Sequence, residues 1–119
     1  MPSPSAPCLL LVDDDPLVRM VLTMGLQDKG FDVTEAATGE AAMMLMERGL
    51  QPMAVVSDID LGQGCNGIEL ADWLADTYPD LRVVLISGRL RPELTSSRNH
   101  RSFLPKPFII EALVRLLQH

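Results

Sequence analysis

Leu9-Leu10-Leu11-Val12 is a run of four apolar residues that stops abruptly on Asp13-Asp14-Asp15. A strand that is apolar at every position has no face to offer water. It therefore suits the middle of a parallel sheet with helices packed on both sides. Asp15-Pro16 then supplies an N-cap followed by a proline at the first helical position. The chain is expected to pass from a buried strand, through a short acidic turn, directly into a helix.

The same grammar repeats. Leu17, Val18, Val21, Leu22 and Gly25 fall at helical spacing up to Asp28, with Gly30 as a stop. Residues 31–36 alternate as a second strand, and Thr38-Gly39 caps a helix through Arg48. Met53 to Ser57 is a third strand that ends on Asp58. A glycine-rich loop over residues 62–67 leads into a helix from Ile68 to Thr77. Arg82 to Ile86 is a fourth strand ending at Ser87, Phe103-Leu104 a short fifth, and Phe108 to Gln118 a last helix. Strands alternating with helices through short loops specify a doubly wound α/β sheet.

Length and composition narrow the function. The 119 residues fit one compact domain over 8–119, preceded by a Pro-rich stretch at 1–7 that reads as a disordered tail or linker. No apolar run is long enough to cross a bilayer and no secretory segment follows Met1, so a cytoplasmic location is expected. A net charge of −6 argues against nucleic-acid binding. The charge is uneven: residues 1–60 carry ten acidic side chains against three basic ones, and residues 61–119 carry six against seven. Cys8 is expected to be a small buried hydrophobe and Cys65 an exposed, incidental thiol.

In open α/β sheets, chemistry gathers at the carboxyl ends of the strands. The residues just past each strand are Asp13 and Asp14, then Asp58, then Ser87, then Lys106. Taken singly these are a solvated helix N-terminus, a turn serine and a surface lysine. Together they bring three carboxylates, a hydroxyl and an ammonium to one edge. Crowded carboxylates require protons or a cation, and a set of carboxylates, carbonyls and water suits Mg²⁺ or Mn²⁺. Such a site suits phosphoryl chemistry, with an aspartate as nucleophile and lysine and serine on the phosphoryl oxygens.

Residues 10–15, 55–61, 85–88 and 103–108 carry this pattern (Leu-Leu-Val-Asp-Asp-Asp, Val-Val-Ser-Asp-Ile-Asp-Leu, Leu-Ile-Ser-Gly, Phe-Leu-Pro-Lys-Pro-Phe). In this the chain resembles the response-regulator receiver domains of two-component signalling, chemotaxis-regulator-like, from about Cys8 to Leu117. The resemblance implies a five-stranded parallel sheet in the order 2-1-3-4-5, and a phosphoryl group accepted by Asp58 from a histidine kinase or a histidine phosphotransfer protein. It implies Asp14 and Asp58 as direct ligands of Mg²⁺ or Mn²⁺, Asp13 acting through a metal-bound water, and Asp60 offering its backbone carbonyl. Lys106 would pair with Asp58 and then with the phosphoryl group. Ser87 and Phe103 would form the switch, and the bond preceding Pro107 would be cis. Such a domain catalyses its own phosphorylation and dephosphorylation rather than the turnover of a small substrate.

Three features depart from the family pattern. The loop from Asp58 to Gly67 is one residue longer, with Leu61-Gly62 in place of the common Met-Pro. The segment between Ser87 and Lys106 is short and poor in helix formers, so the helix expected there is short or irregular. Its Arg89, Arg91, Arg98, His100 and Arg101 against the single Glu93 make residues 89–101 a candidate contact surface for an acidic partner. The last helix is apolar on two faces, Ile109-Ala112-Leu113-Leu116 and Ile110-Val114-Leu117, and the face left outside the core is a candidate homodimer or partner surface. No output domain is expected after Gln118-His119. The rival reading is a small haloacid-dehalogenase-like aspartyl-phosphate phosphatase, which also uses Asp-x-Asp, a hydroxyl and a lysine. There, however, the nucleophilic pair normally follows the first strand.

Overall fold

The computed structural model describes residues 6–88 and 101–118. Strands β1 (Cys8–Val12), β2 (Asp32–Ala36), β3 (Ala54–Asp58), β4 (Arg82–Ser87) and β5 (Arg101–Pro105) form a parallel sheet in the order β2-β1-β3-β4-β5. Helices α1 (Pro16–Asp28), α2 (Gly39–Glu47) and α3 (Gly67–Thr77) connect the first four strands, and α4 (Ile110–Leu117) follows β5. The doubly wound sheet and its strand order are as the sequence led us to expect. Strand order reverses between β1 and β3, which opens the ligand crevice of such sheets at their carboxyl ends.

The continuous apolar runs have a simple cause. Along β1, β3 and β4, side chains alternate between two cores, one on each side of the sheet. Leu10, Val12, Val55, Val83 and Leu85 pack with Ala42 and Met46 of α2 and with Leu70, Ala71 and Leu74 of α3. Leu9, Leu11, Val56, Val84 and Ile86 pack with Leu26 of α1 and with Leu113 and Leu117 of α4. Each buried Leu, Ile or Val contributes about 1.5–3 kcal/mol relative to an exposed one. The helix starts are fixed locally: the Asp15 carboxylate accepts from the Leu17 and Val18 amides, and the Thr38 hydroxyl accepts from Ala41. Asn66 and Glu69 form a reciprocal capping box on α3.

Several local expectations are corrected. β5 extends over Arg101–Pro105 rather than Phe103-Leu104, because β4 offers it a full ladder from Val83–Arg101 to Ser87–Pro105. Arg101 is anchored there by the Asp72 carboxylate of α3, 2.7 Å away. At the other end, the Pro7 carbonyl accepts from the Asp32 amide, so sheet bonding reaches one residue into the expected tail. The last helix begins at Ile110, and of its two expected faces Ile110-Val114-Leu117 is the packed one, joined by Leu113 and Leu116 from the other. Ile110, Leu113, Val114, Leu116 and Leu117 all pack on the core and Ile109 is left 66% exposed. Glu111, Arg115 and Gln118 form the exposed polar side of this helix, and its apolar side also meets α1. Gly25 leaves room for Ile110, whose Cδ1 would lie 3.2 Å from a Cβ placed there. The helix expected between β4 and β5, and the arginine-rich surface apart from Arg101, lie outside the described residues.

Candidate functional site

Strand register brings the strand-end residues together. Val12 pairs with Ser57, so Asp13 and Asp58 each stand one residue further on, side by side. Asp58 pairs with Ile86 and Ser87 pairs with Pro105, which places Ser87 and then Lys106 along the same edge. Four segments distant in sequence thus end at one crevice.

Asp58 is the centre of the arrangement. Lys106 Nζ lies 3.0 Å from Asp58 Oδ2, and the Asp60 amide donates to Oδ1 at 3.2 Å. One carboxylate oxygen therefore faces an ammonium and the other a loop amide. Partial burial pulls the Lys106 pKa down, but the hydrogen bond and charge of Asp58, with Asp13 and Asp60 adding, outweigh it and hold the ammonium above its ordinary value. The Lys106 amide donates to the Ser87 carbonyl at 2.9 Å, and the Lys106–Pro107 bond is cis. Ser87 is fully buried, and Phe103 is half-buried against the core that contains α2 and α3.

Asp13 and Asp14 divide their roles. Asp13 is only 3% exposed, and its Oδ1 accepts from the Asp15 amide at 2.9 Å. Burial raises its pKa, and although the Asp15 amide and Lys106 oppose this, the negative charges of Asp58 and Asp14 reinforce it. Asp14 is exposed, and its carboxylate faces the backbone of the loop after β3 at Gly62. The expected convergence of three carboxylates therefore takes a looser form. Among the described residues, no three Asp, Glu, His or Cys side chains come close enough to enclose an ion by themselves. Asp13 Oδ1 is engaged by its own turn, while Asp14 is exposed and the Asp58 carboxylate lies at the neighbouring strand end. An all-oxygen donor set of this kind, with two carboxylates, fits a small, hard divalent cation, which usually keeps part of its hydration shell.

Two contributors were missed in the sequence. Arg19 Nη1 donates to the Asp13 carbonyl at 2.7 Å while its Nε pairs with Glu35 at 3.1 Å, so it props the acidic turn from below. Its signal was a lone basic residue one helical turn after Asp15, in the acidic half of the chain. Glu40 Oε2 accepts from the Cys65 amide at 2.9 Å, tying α2 to the loop beside Asp58. Cys65 itself is half-buried rather than exposed, because Gly39 leaves space for its sulfur at the start of α2.

A family model described as the response regulator receiver domain matches residues 9–118. The chain is 37% identical over 111 residues to the sensor kinase CckA of Brucella abortus, covering 88% of this chain and 11% of that protein. It is 30% identical to the sensor protein TorS of Escherichia coli, over 93% of this chain and 12% of that one. Against the probable transcriptional regulatory protein TcrX of Mycobacterium tuberculosis it is 30% identical, over 92% and 47% respectively. The chain thus spans from about a tenth to under half of these relatives. Among solved structures, a response regulator receiver protein from Sinorhizobium medicae superposes with a TM-score of 0.87 at 30% identity, covering 98% of both chains. The chemotaxis protein CheY4 of Vibrio cholerae shares the fold, with a TM-score of 0.85 at 24% identity over 96% of this chain and 98% of that one.

Proposed function

Since this chain belongs to the response regulator receiver-domain family, we propose that it accepts a phosphoryl group on Asp58 from a phosphohistidine, in a reaction dependent on Mg²⁺ or Mn²⁺. The observation that carries this is the Asp58–Lys106 pair, 3.0 Å apart across the sheet edge where Asp13 and Asp14 also end. A carboxylate oxygen of Asp58 attacks phosphorus, the P–N bond of the phosphohistidine breaks, and the departing imidazole nitrogen takes up a proton from solvent. Lys106 transfers its ammonium from the carboxylate to the phosphoryl oxygens, so a positive charge is already in place when the product forms. A bound divalent cation, held by Asp14, Asp58 and the Asp60 carbonyl with Asp13 behind, would neutralise the charge on the transferring group. Ser87 at the end of β4 donates its hydroxyl to the new phosphoryl group, and Phe103 follows. Water later hydrolyses the acyl phosphate.

The donor is a histidine kinase or a histidine phosphotransfer protein, encountered in the cytoplasm. To bring an imidazole onto Asp58 it must rest on the rim of the crevice, and the first turn of α1 is that rim. From there Leu17, Met20, Val21 and Met24 run down the outer face of α1 at helical spacing, 49–64% exposed. This stripe, rather than the largely packed α4, is the docking face for the donor.

Incubation with Mg²⁺ and acetyl phosphate, followed by intact mass measurement, tests the proposal. A single phosphate adduct is expected, absent in Asp58→Asn and absent without the divalent cation. An adduct that persists in Asp58→Asn, or steady hydrolysis of a generic phosphatase substrate without any adduct, overturns it.

A further inference from the structure

The loop between β3 and α3 carries the extra residue, yet it is held at both ends of its crown. Its base is closed by the Gly67 amide donating to the Ile59 carbonyl at 2.9 Å and by the Asn66–Glu69 capping box. Its crown is held from outside by Glu40, in the first turn of α2, whose Oε2 accepts from the Cys65 amide. That bond, helped by the amide of Glu40 itself, keeps the carboxylate below its ordinary pKa and therefore charged.

The glycines show how tightly the parts fit. Gly64 has φ +85°, and a Cβ there would lie 2.6 Å from Glu40 Oε1, so the loop backbone rests directly against the carboxylate. A Cβ on Gly39 would collide with Cys65 Sγ, so the thiol occupies the space a side chain would take at the start of α2. At the other end of the crown Gly62 has φ +73°, and a Cβ there would lie 2.9 Å from Asp14 Oδ2. One residue, Gln63, separates the glycine that touches Asp14 from the glycine that touches Glu40. The Asp60 carbonyl lies just before the first of them.

We infer that Glu40 is a positioning residue for the cation site: by latching the crown of the lengthened loop to α2, it sets the height of the Asp60 carbonyl and of the backbone over Asp14. The inference rests on the receiver reading above. Glu40 touches neither the phosphoryl group nor the ion. It holds the ligands that do, at a place where the family's rigid Met-Pro turn is replaced by Leu61-Gly62. Cys65, under the latch, serves as a gauge of whether it is closed.

The test uses the full chain carrying Cys8→Ser, so that Cys65 is its remaining thiol. Mn²⁺ alone is the probe, with its free fraction read by electron paramagnetic resonance, and the rate of Cys65 modification by a thiol reagent is followed in parallel. Glu40→Ala should weaken Mn²⁺ binding about tenfold, the usual cost of removing a group that orients a metal ligand. It should also speed modification of Cys65, with little change in thermal midpoint. Glu40→Gln keeps an acceptor oxygen for the Cys65 amide and should recover most of both effects. Gly64→Ala disturbs the latch from the loop side and should weaken Mn²⁺ binding in the same direction. If Glu40→Ala frees the thiol yet binds Mn²⁺ as tightly as the parent, the latch does not serve the cation site and the inference fails. Equal Cys65 rates in the parent and Glu40→Ala also overturn it. A parent that binds no Mn²⁺ overturns the receiver reading and this inference together; a failure confined to the Glu40 comparisons overturns this inference alone.

Discussion

Asp58 and Lys106 stand 48 positions apart in the chain and 3.0 Å apart in space, while Asp13, in the same crevice, is nearly sealed from water. That contrast gives a prediction for Asp13. Its folded pKa is raised, so the native state holds this proton more tightly than the unfolded chain does. Stability then falls as pH rises from the ordinary aspartate value through the raised one, and the full penalty is present above the raised value. Asp13→Asn keeps an acceptor for the Asp15 amide and removes the charge. In the presence of a chelator, at a pH above the raised value, it should melt above the parent. The difference should close as pH is lowered past the raised pKa; a gap that stays constant with pH would rule out this origin. The charged and hydroxyl-bearing residues were legible in the sequence because each directly ends a strand. Arg19 was not, since its task is to bind a main-chain carbonyl, and any carbonyl looks the same in a sequence.

Among the elements, α1 and α4 show where pattern alone falls short. In α1 the helical spacing is plain, but two apolar stripes run along it. One, through Leu22 and Leu26, meets the sheet, and the other, Leu17-Met20-Val21-Met24, meets solvent. Periodicity reports that a stripe exists, not which side the sheet is on. In α4 the stripes merge into one broad apolar side, and Gly25 on α1 leaves room for its first residue, Ile110. The outer stripe of α1 makes a separable prediction. Val21→Glu should slow phosphoryl transfer from a phosphohistidine protein about tenfold, equivalent to roughly 1.4 kcal/mol of lost association. Labelling by acetyl phosphate, which needs no docking face, should proceed at the parental rate. Equal slowing with both donors would place the effect in the site and not on the surface.

For the whole molecule, the strand order came from the family resemblance, whereas the parallel sheet and its two-sided core could be read directly from the fully apolar strands. The extents of β5 and of the bonded N-terminal segment could not, since both depend on what a neighbouring strand offers. The carboxylates gathered at the crevice predict a linkage between ion and fold. A cation that binds only the native arrangement stabilises it, by about 2.7 kcal/mol at a concentration one hundred times its dissociation constant. Mg²⁺ should therefore raise the melting temperature of the parent, less so at high ionic strength. The increase should largely vanish in Asp14→Ala and persist in Asp28→Ala, at the far end of α1. An equal increase in all three proteins would mean that the ion acts elsewhere.

The main-chain bond from Lys106 to Ser87 ties the strand end that carries the hydroxyl to the lysine turn. A displacement of that strand end would strain this bond and so pull on the lysine turn. A partner that gripped the turn after β5 would then also feel a displacement at the end of β4.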